Sequence, residues 1–115
     1  MKKIICFDID GVICKTNTNN YNKSKPIAEN IKTINLLHKR KYYIKLFTSR
    51  YMGREKENKK RAENKAKKLT LYQLKKWGVK YHEVLFAKPS YDVIIDDKSL
   101  FYKKNWSSLL KKKFK

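Results

Sequence analysis

A chain of 115 residues that sets 30 lysines and arginines against 10 aspartates and glutamates has room for one hydrophobic core under a strongly positive surface, with a formal charge of +20. No stretch approaches the ~20 apolar residues of a membrane span, and the apolar run Ile4–Phe7 is cut by Asp8 and Asp10 far short of a secretory h-region of roughly 7–15 residues. The expectation is therefore a single cytoplasmic domain over residues 1–115 whose two cysteines, Cys6 and Cys14, are free buried thiols rather than a disulfide.

In chain order, Lys3–Phe7 is a short apolar run stopped by the turn signal Asp10-Gly11, which reads as a buried strand. A loop rich in Asn, Thr and Lys follows. Pro26 suits a first helical turn, and Ile27, Ile31, Ile34 and His38 recur at helical spacing, so a helix is predicted to run to Lys39. Tyr42–Phe47 is the second strand and ends at Thr48-Ser49-Arg50. Glu55–Trp77 reads as a helix with Ala62, Ala66, Leu69, Gln73 and Trp77 on one face and Gly78 placed to end it. Val84–Phe86 and Val93–Ile95 are the third and fourth strands. Leu100, Phe101, Trp106, Leu109 and Leu110 predict a short closing helix before a frayed, lysine-rich end.

Strand and helix alternate throughout, which predicts βαβ units with right-handed crossovers: an α/β, Rossmann-like domain with a mostly parallel sheet flanked by helices. In such a sheet ligands bind beyond the carboxyl ends of the strands. Asp8, Thr48, Lys88 and Asp96 all fall at or just after predicted strand ends.

The acids are placed more tellingly than the bases. Four of the five aspartates form two pairs, Asp8 with Asp10 and Asp96 with Asp97, each directly after a β-type run. A turn at Ile9-Asp10-Gly11 lets the first two carboxylates converge, with Gly11 permitting the tight turn and exposing N–H groups to a phosphate. Asp8 can then present one oxygen to phosphorus and another to a metal, leaving Asp10 free for proton transfer. A second acidic pair opposite supplies hard oxygen ligands for Mg²⁺. Thr48 with the Ser49 amide can hold the phosphate, and Lys88 adds positive charge, its approach fixed by the extended backbone that Pro89 imposes. His38 and His82 read as structural.

The set Asp8-Ile9-Asp10-Gly11-Val12, Phe47-Thr48-Ser49-Arg50, Lys88-Pro89 and Ile95-Asp96-Asp97 resembles, in order, the four motifs of the haloacid dehalogenase (HAD) superfamily. The resemblance implies Asp8 as nucleophile, Asp10 as acid and base, Thr48 as phosphate ligand, Lys88 as charge stabiliser and a Mg²⁺ ion on Asp8, Asp10 and Asp96 with Asp97 assisting. Asp at position 10 points to the superfamily's phosphatases. Trp77–His82, Phe86–Pro89 and Tyr91–Lys98 are also similar to small bacterial members assigned to capsule biosynthesis, although Ala87 stands where those sequences more often have Gly.

Selectivity in the superfamily usually comes from an inserted cap. Val12–Lys25 and Lys88–Asp92 are both too short to hold one, so a capless HAD-type domain is expected, its open site suiting a large substrate or closure by a neighbouring subunit of a homo-oligomer. Arg50, Tyr51 and Arg54 are the candidates to reach a leaving group. The leading expectation is a Mg²⁺-dependent phosphatase acting on a small phosphorylated metabolite such as a sugar phosphate or capsule precursor. Two alternatives stay open: a nucleic-acid end phosphatase or metal-dependent nuclease, and a non-catalytic basic binding module. Only four of the basic residues are arginines and the lysines are spread along the chain, so the composition argues against nucleic acid as partner and for a compositional origin of the charge. The field should still make encounter with anionic substrates salt-sensitive.

Overall fold

The computed structural model describes residues 3–17, 20–50, 59–86, 88, 93, 95, 96, 98–100 and 105–115. Three parallel strands form the sheet: β1 (Ile4–Asp8), β4 (Tyr43–Phe47) and β5 (Glu83–Leu85), in the order β1-β4-β5. Between β1 and β4 lie a ribbon of two short strands, β2 (Cys14–Lys15) and β3 (Lys25–Pro26), a 3-10 turn at Tyr21–Lys23, and helix α1 (Ala28–Lys39). Helix α2 (Lys59–Lys76) connects β4 to β5, and α3 (Trp106–Lys113) closes the chain. The α/β architecture read from the alternation of elements is thus the observed one.

Burial follows the pleat. Ile5 pairs with Ile44 and Phe7 with Leu46, and side chains at paired positions share a face, so these four form one apolar layer. Ile31, Ile34 and Leu37 of α1 fall at helical spacing and are buried in the same core, and Trp106 of α3 packs its ring against Phe7 at a centroid distance of 6.0 Å. Each such aliphatic chain contributes roughly 1.5–3 kcal/mol of burial. The opposite face of β1 is different: Ile4 and Cys6 are exposed, so Cys6 is a free surface thiol, while Cys14 is free and buried as expected.

Several expectations shift. Pro26 does not open α1. It pairs with Cys14 in the ribbon, and Ile27 donates its N–H to the Ile13 carbonyl, which keeps the chain extended until Ala28. The start of the predicted 55–77 helix, residues 55–58, lies outside the described residues. Val93 and Ile95, predicted as a fourth strand, are in no strand and are 77% and 95% exposed. The chain instead turns tightly after them, with the Lys98 N–H on Asp96 Oδ1 and the Ser99 hydroxyl on the Asp96 carbonyl. The lysine-rich end is tied down rather than frayed. Arg40 donates to the carbonyls of Lys111 and Phe114, Tyr42 donates to that of Lys115, and Tyr42 meets Phe114 edge to face.

Both histidines serve the sheet edge. His82 Nδ1 accepts the Ile44 N–H, the His82 N–H returns a bond to the Ile44 carbonyl, and its ring stacks between Tyr43 and His38. Burial, reinforced by the charges of His82, Lys80 and Lys41, holds the His38 pKa below its ordinary 6.5. A histidine depressed in the folded state contributes stability that is fully present above its unfolded pKa and is lost as pH falls through the folded one. Thermal melts should therefore show Tm falling as pH is lowered through about 6.5, and His38→Gln should flatten that fall. An unchanged pH dependence in the variant would remove His38 as its source.

Candidate active site

The register of the sheet assembles the site. Asp8, Phe47 and Leu85 are level across the three strands, so the residues that follow each of them emerge together at one carboxyl edge. Immediately after β1 the chain turns back on itself: the Ile9 carbonyl accepts the N–H groups of Val12, Ile13 and Cys14, and Gly11 donates to the Cys14 carbonyl at 2.7 Å. Gly11 has φ +92°, a left-handed conformation that a side chain resists. Its amide is thus engaged inside the turn rather than offered to a phosphate, which revises that part of the sequence reading. Ile9 is fully buried and pins the turn, leaving Asp8 and Asp10 on its rim.

Asp8 sits where it can act. Its side chain is 37% exposed, Oδ2 lies 3.3 Å from Lys88 Nζ, and Oδ1 accepts the Ile9 N–H at 2.9 Å. Lys88 reaches it from beyond β5, with its ammonium 5.6 Å from the centre of the Phe47 ring and its backbone N–H on the Thr48 carbonyl. Burial raises the Asp8 pKa above the usual carboxylate value, while the Lys88 charge, the Ile9 N–H and the Lys88 hydrogen bond pull the other way.

Asp10 is held more rigidly. Arg50 Nε bonds both carboxylate oxygens, at 3.2 and 3.0 Å, and Nη2 adds a 2.9 Å contact to Oδ1. Thr16 Oγ1 donates to the same oxygen at 2.6 Å, and the Cys14 thiol lies 3.5 Å from it. Oδ1 is therefore crowded with donors, whereas among the described residues Oδ2 accepts from Arg50 Nε alone. The Thr16 hydroxyl has one proton and gives it to Asp10, so the 2.6 Å contact to Ser24 is a bond donated by Ser24, tying the β2–β3 ribbon to the same carboxylate.

Arg50 was expected to reach outward to a leaving group. It points inward instead, 1% exposed, and spends its fork on Asp10, Thr70 Oγ1 and Gln73 Oε1, with its guanidinium 5.1 Å from the centre of the Tyr21 ring. Gln73 passes the link on by donating to the Tyr21 carbonyl at 2.7 Å. Burial would lower the Arg50 pKa, but the hydrogen bonds and charge of Asp10 outweigh it and the net shift is upward. These partners were missed from sequence, and one signal was available: Gln73 stood alone as a polar residue on the predicted apolar face of its helix.

The remaining predicted site residues divide three ways. Thr48 is fully buried, accepts the Arg50 N–H on Oγ1, donates its own N–H to the Leu85 carbonyl and accepts the Lys88 N–H, so it ties the end of β4 to β5 and the chain beyond it. Ser49 follows it, half-buried. Asp96 is exposed, and Arg54 and Asp97 lie outside the described residues. Among the described residues no three metal-ligating side chains gather. The carboxylates of Asp8 and Asp96 have the hard-oxygen chemistry that suits Mg²⁺, but the Asp10 carboxylate is committed to Arg50 and Thr16.

No family model matches this chain, and no curated protein matches it. Among solved structures, the crystal structure of a protein target from Vibrio cholerae is similar at a TM-score of 0.79 and 25% identity, covering all of both chains. A chain in the Pnkp1/Rnl/Hen1 complex is similar at a TM-score of 0.57 and 15% identity, covering 96% of this chain and 33% of that one. A chain in the structure described as the Pnkp1/Rnl/Hen1 RNA repair complex gives 0.56 and 17%, over 97% and 30%. These likenesses show a shared fold.

Replacing Arg50 by Met should cost about 2–4 kcal/mol, because it strands the Asp10 carboxylate and leaves Thr70 and Gln73 without their donor. Urea unfolding measures this. A loss under about 0.5 kcal/mol, the range of an ordinary surface substitution, would mean that the network is incidental.

Proposed function

We propose that this chain is a phosphomonoesterase that passes the phosphoryl group to Asp8 and then to water. The observation that carries the reading is the convergence, at one carboxyl edge, of an accessible carboxylate paired with Lys88 and a second carboxylate clamped by Arg50. The order and spacing of the motifs support it further.

In the first step the Asp8 carboxylate attacks phosphorus as the bond from phosphorus to the ester oxygen breaks, and the departing alkoxide receives a proton that Asp10 has taken up from solvent on Oδ2 as the substrate enters. In the second, Asp10 takes a proton from water as its oxygen attacks phosphorus. The aspartyl–phosphate bond then breaks, returning the Asp8 carboxylate and free phosphate. Oδ2 of Asp10 is the oxygen suited to this traffic, since Oδ1 is filled by Thr16 and Arg50. Lys88 offsets the repulsion between Asp8 and an approaching phosphate dianion and holds the carboxylate in place. Thr48 and Ser49 are proposed to receive the phosphate, which requires a small opening at Thr48. A Mg²⁺ ion held by Asp8 and Asp96, with Asp97, would supply charge neutralisation at the phosphoryl oxygens.

The substrate class we propose is a small phosphorylated metabolite; the described chain between β1 and α1 folds into only a small ribbon, so selectivity for it would come from a neighbouring subunit closing the open edge. A second reading, a phosphate at the end of a polynucleotide, is favoured by the basic charge concentrated on α2.

Phosphate release from a panel of esters should require Mg²⁺, stop with EDTA and fall by more than about 10³-fold in Asp8→Asn; comparable release by the variant would rule out the covalent route. Arg50→Lys keeps the charge and loses the fork. Its turnover of alkyl phosphates, which need a proton on the leaving oxygen, should drop about 10²-fold, while nitrophenyl phosphate, which does not, should be largely spared. An equal drop on both would mean that Arg50 does not act through Asp10.

A further inference from the structure

Charge is not spread evenly over the helices. Eight of the 18 residues of α2 are Lys or Arg and one is Glu, whereas α1, with 12 residues, has two lysines and one Glu. Helix α3, with three lysines and no acid in eight residues, is as basic for its length, so what sets α2 apart is the arrangement of its bases and not their number.

The bases of α2 are also sorted by face. Thr70, Gln73 and Leu74 are its buried side, and through Thr70 and Gln73 it holds Arg50 and so Asp10. Diametrically opposite, at successive helical spacings, come Arg61, Lys65, Lys68, Tyr72 and then Lys75 with Lys76, all exposed. The stripe is ~22 Å long at 1.5 Å per residue, and an open hollow beside its first half is lined by Arg61, Lys65 and Lys68 with Lys60, Lys67 and Leu71. Exposed at such spacings, the bases present a run of positive charge long enough for an anionic partner that spans several turns.

Tyr72 selects among such partners. It is 63% exposed in the midst of the lysines, where its ring offers a base a stacking surface. A helix that lies on an anionic membrane needs an apolar face to insert, and this stripe has none besides that one ring.

We propose that the outer face of α2 is a docking surface for single-stranded polynucleotide, with Arg61, Lys65 and Lys68 on successive phosphates and Tyr72 stacked on a base. Binding stands apart from the catalytic reading. Only the further step, that the end of the bound strand is the phosphate ester presented to Asp8, rests on that reading.

The test is fluorescence anisotropy of end-labelled single-stranded RNA and DNA of one sequence, titrated with the full chain in EDTA across a salt series. A triple variant, R61Q/K65Q/K68Q, should weaken binding by about tenfold or more and reduce the slope of log K against log salt by about 2. A control triple on α1 and α3, K32Q/K39Q/K112Q, removes the same charge and should weaken binding less than about threefold. Tyr72→Ala should lower affinity about tenfold with the salt slope unchanged. Binding of either polymer in this pattern supports the surface. Equal losses in the two triples would show a diffuse field and overturn it, as would stripe-dependent binding to phosphatidylserine vesicles without binding to oligonucleotides. Because no turnover is measured, a failure here leaves the phosphatase reading untouched, and loss of that reading by the Asp8→Asn test leaves the surface untouched.

Discussion

The ion pair between Arg50 and Asp10 is the contact on which the rest of the carboxyl edge depends. A guanidinium buried to 1% exposure is tolerable only when its charge is matched and its N–H groups are bonded, and here the surrounding groups come from three places in the chain. Asp10 lies on the turn after β1, Thr70 and Gln73 on α2, and Tyr21 on the 3-10 turn between the ribbon strands. One side chain thereby fixes the relative positions of the turn, the ribbon and the helix.

The two carboxylates at this edge are served by cations of different kinds. Asp8 faces Lys88, a compact charge on a flexible stem, and keeps more than a third of its side-chain surface open. Asp10 faces Arg50, a planar fork that fixes orientation as well as charge. A nucleophile has to move onto phosphorus and exchange partners, while a group that gives and takes a proton has to stay at a set distance. The division of cations suits the proposed division of labour. It also relieves the repulsion of two acids two residues apart, since each negative charge has its own counter-charge. The same α2 that holds Arg50 from within carries the basic stripe on its outer side, so surface and site share one rigid element.

Much of this edge was legible in the sequence, because its signals are local. An apolar run interrupted by Asp8-Ile9-Asp10-Gly11, a strand ending at Thr48 and a turn at Gly78 depend on residue type and spacing, which any chain displays. The meeting of Asp8 with Lys88 was likewise anticipated from strand ends that must lie side by side in a parallel sheet. Arg50 was misplaced because an arginine two residues past a strand can turn outward to solvent or inward to a carboxylate. That choice is made by whether Thr70 and Gln73, some twenty residues on, present acceptors to it. The exposure of Val93, Ile95 and Cys6 was misread for a related reason: their apolarity gives the preference for burial but not the neighbour that would provide it.

The sequence by itself determined the alternation of elements, the parallel sheet and the two acids at the end of the first strand, all of which follow from short-range periodicity and turn chemistry. Only the tertiary structure decided that Asp10 receives Arg50, which of the two cysteines is buried, and that the lysine-rich end is anchored by Arg40 and Tyr42. Those outcomes depend on contacts between residues far apart in the chain, where the balance of desolvation against a well-placed partner is set by geometry that no local pattern encodes.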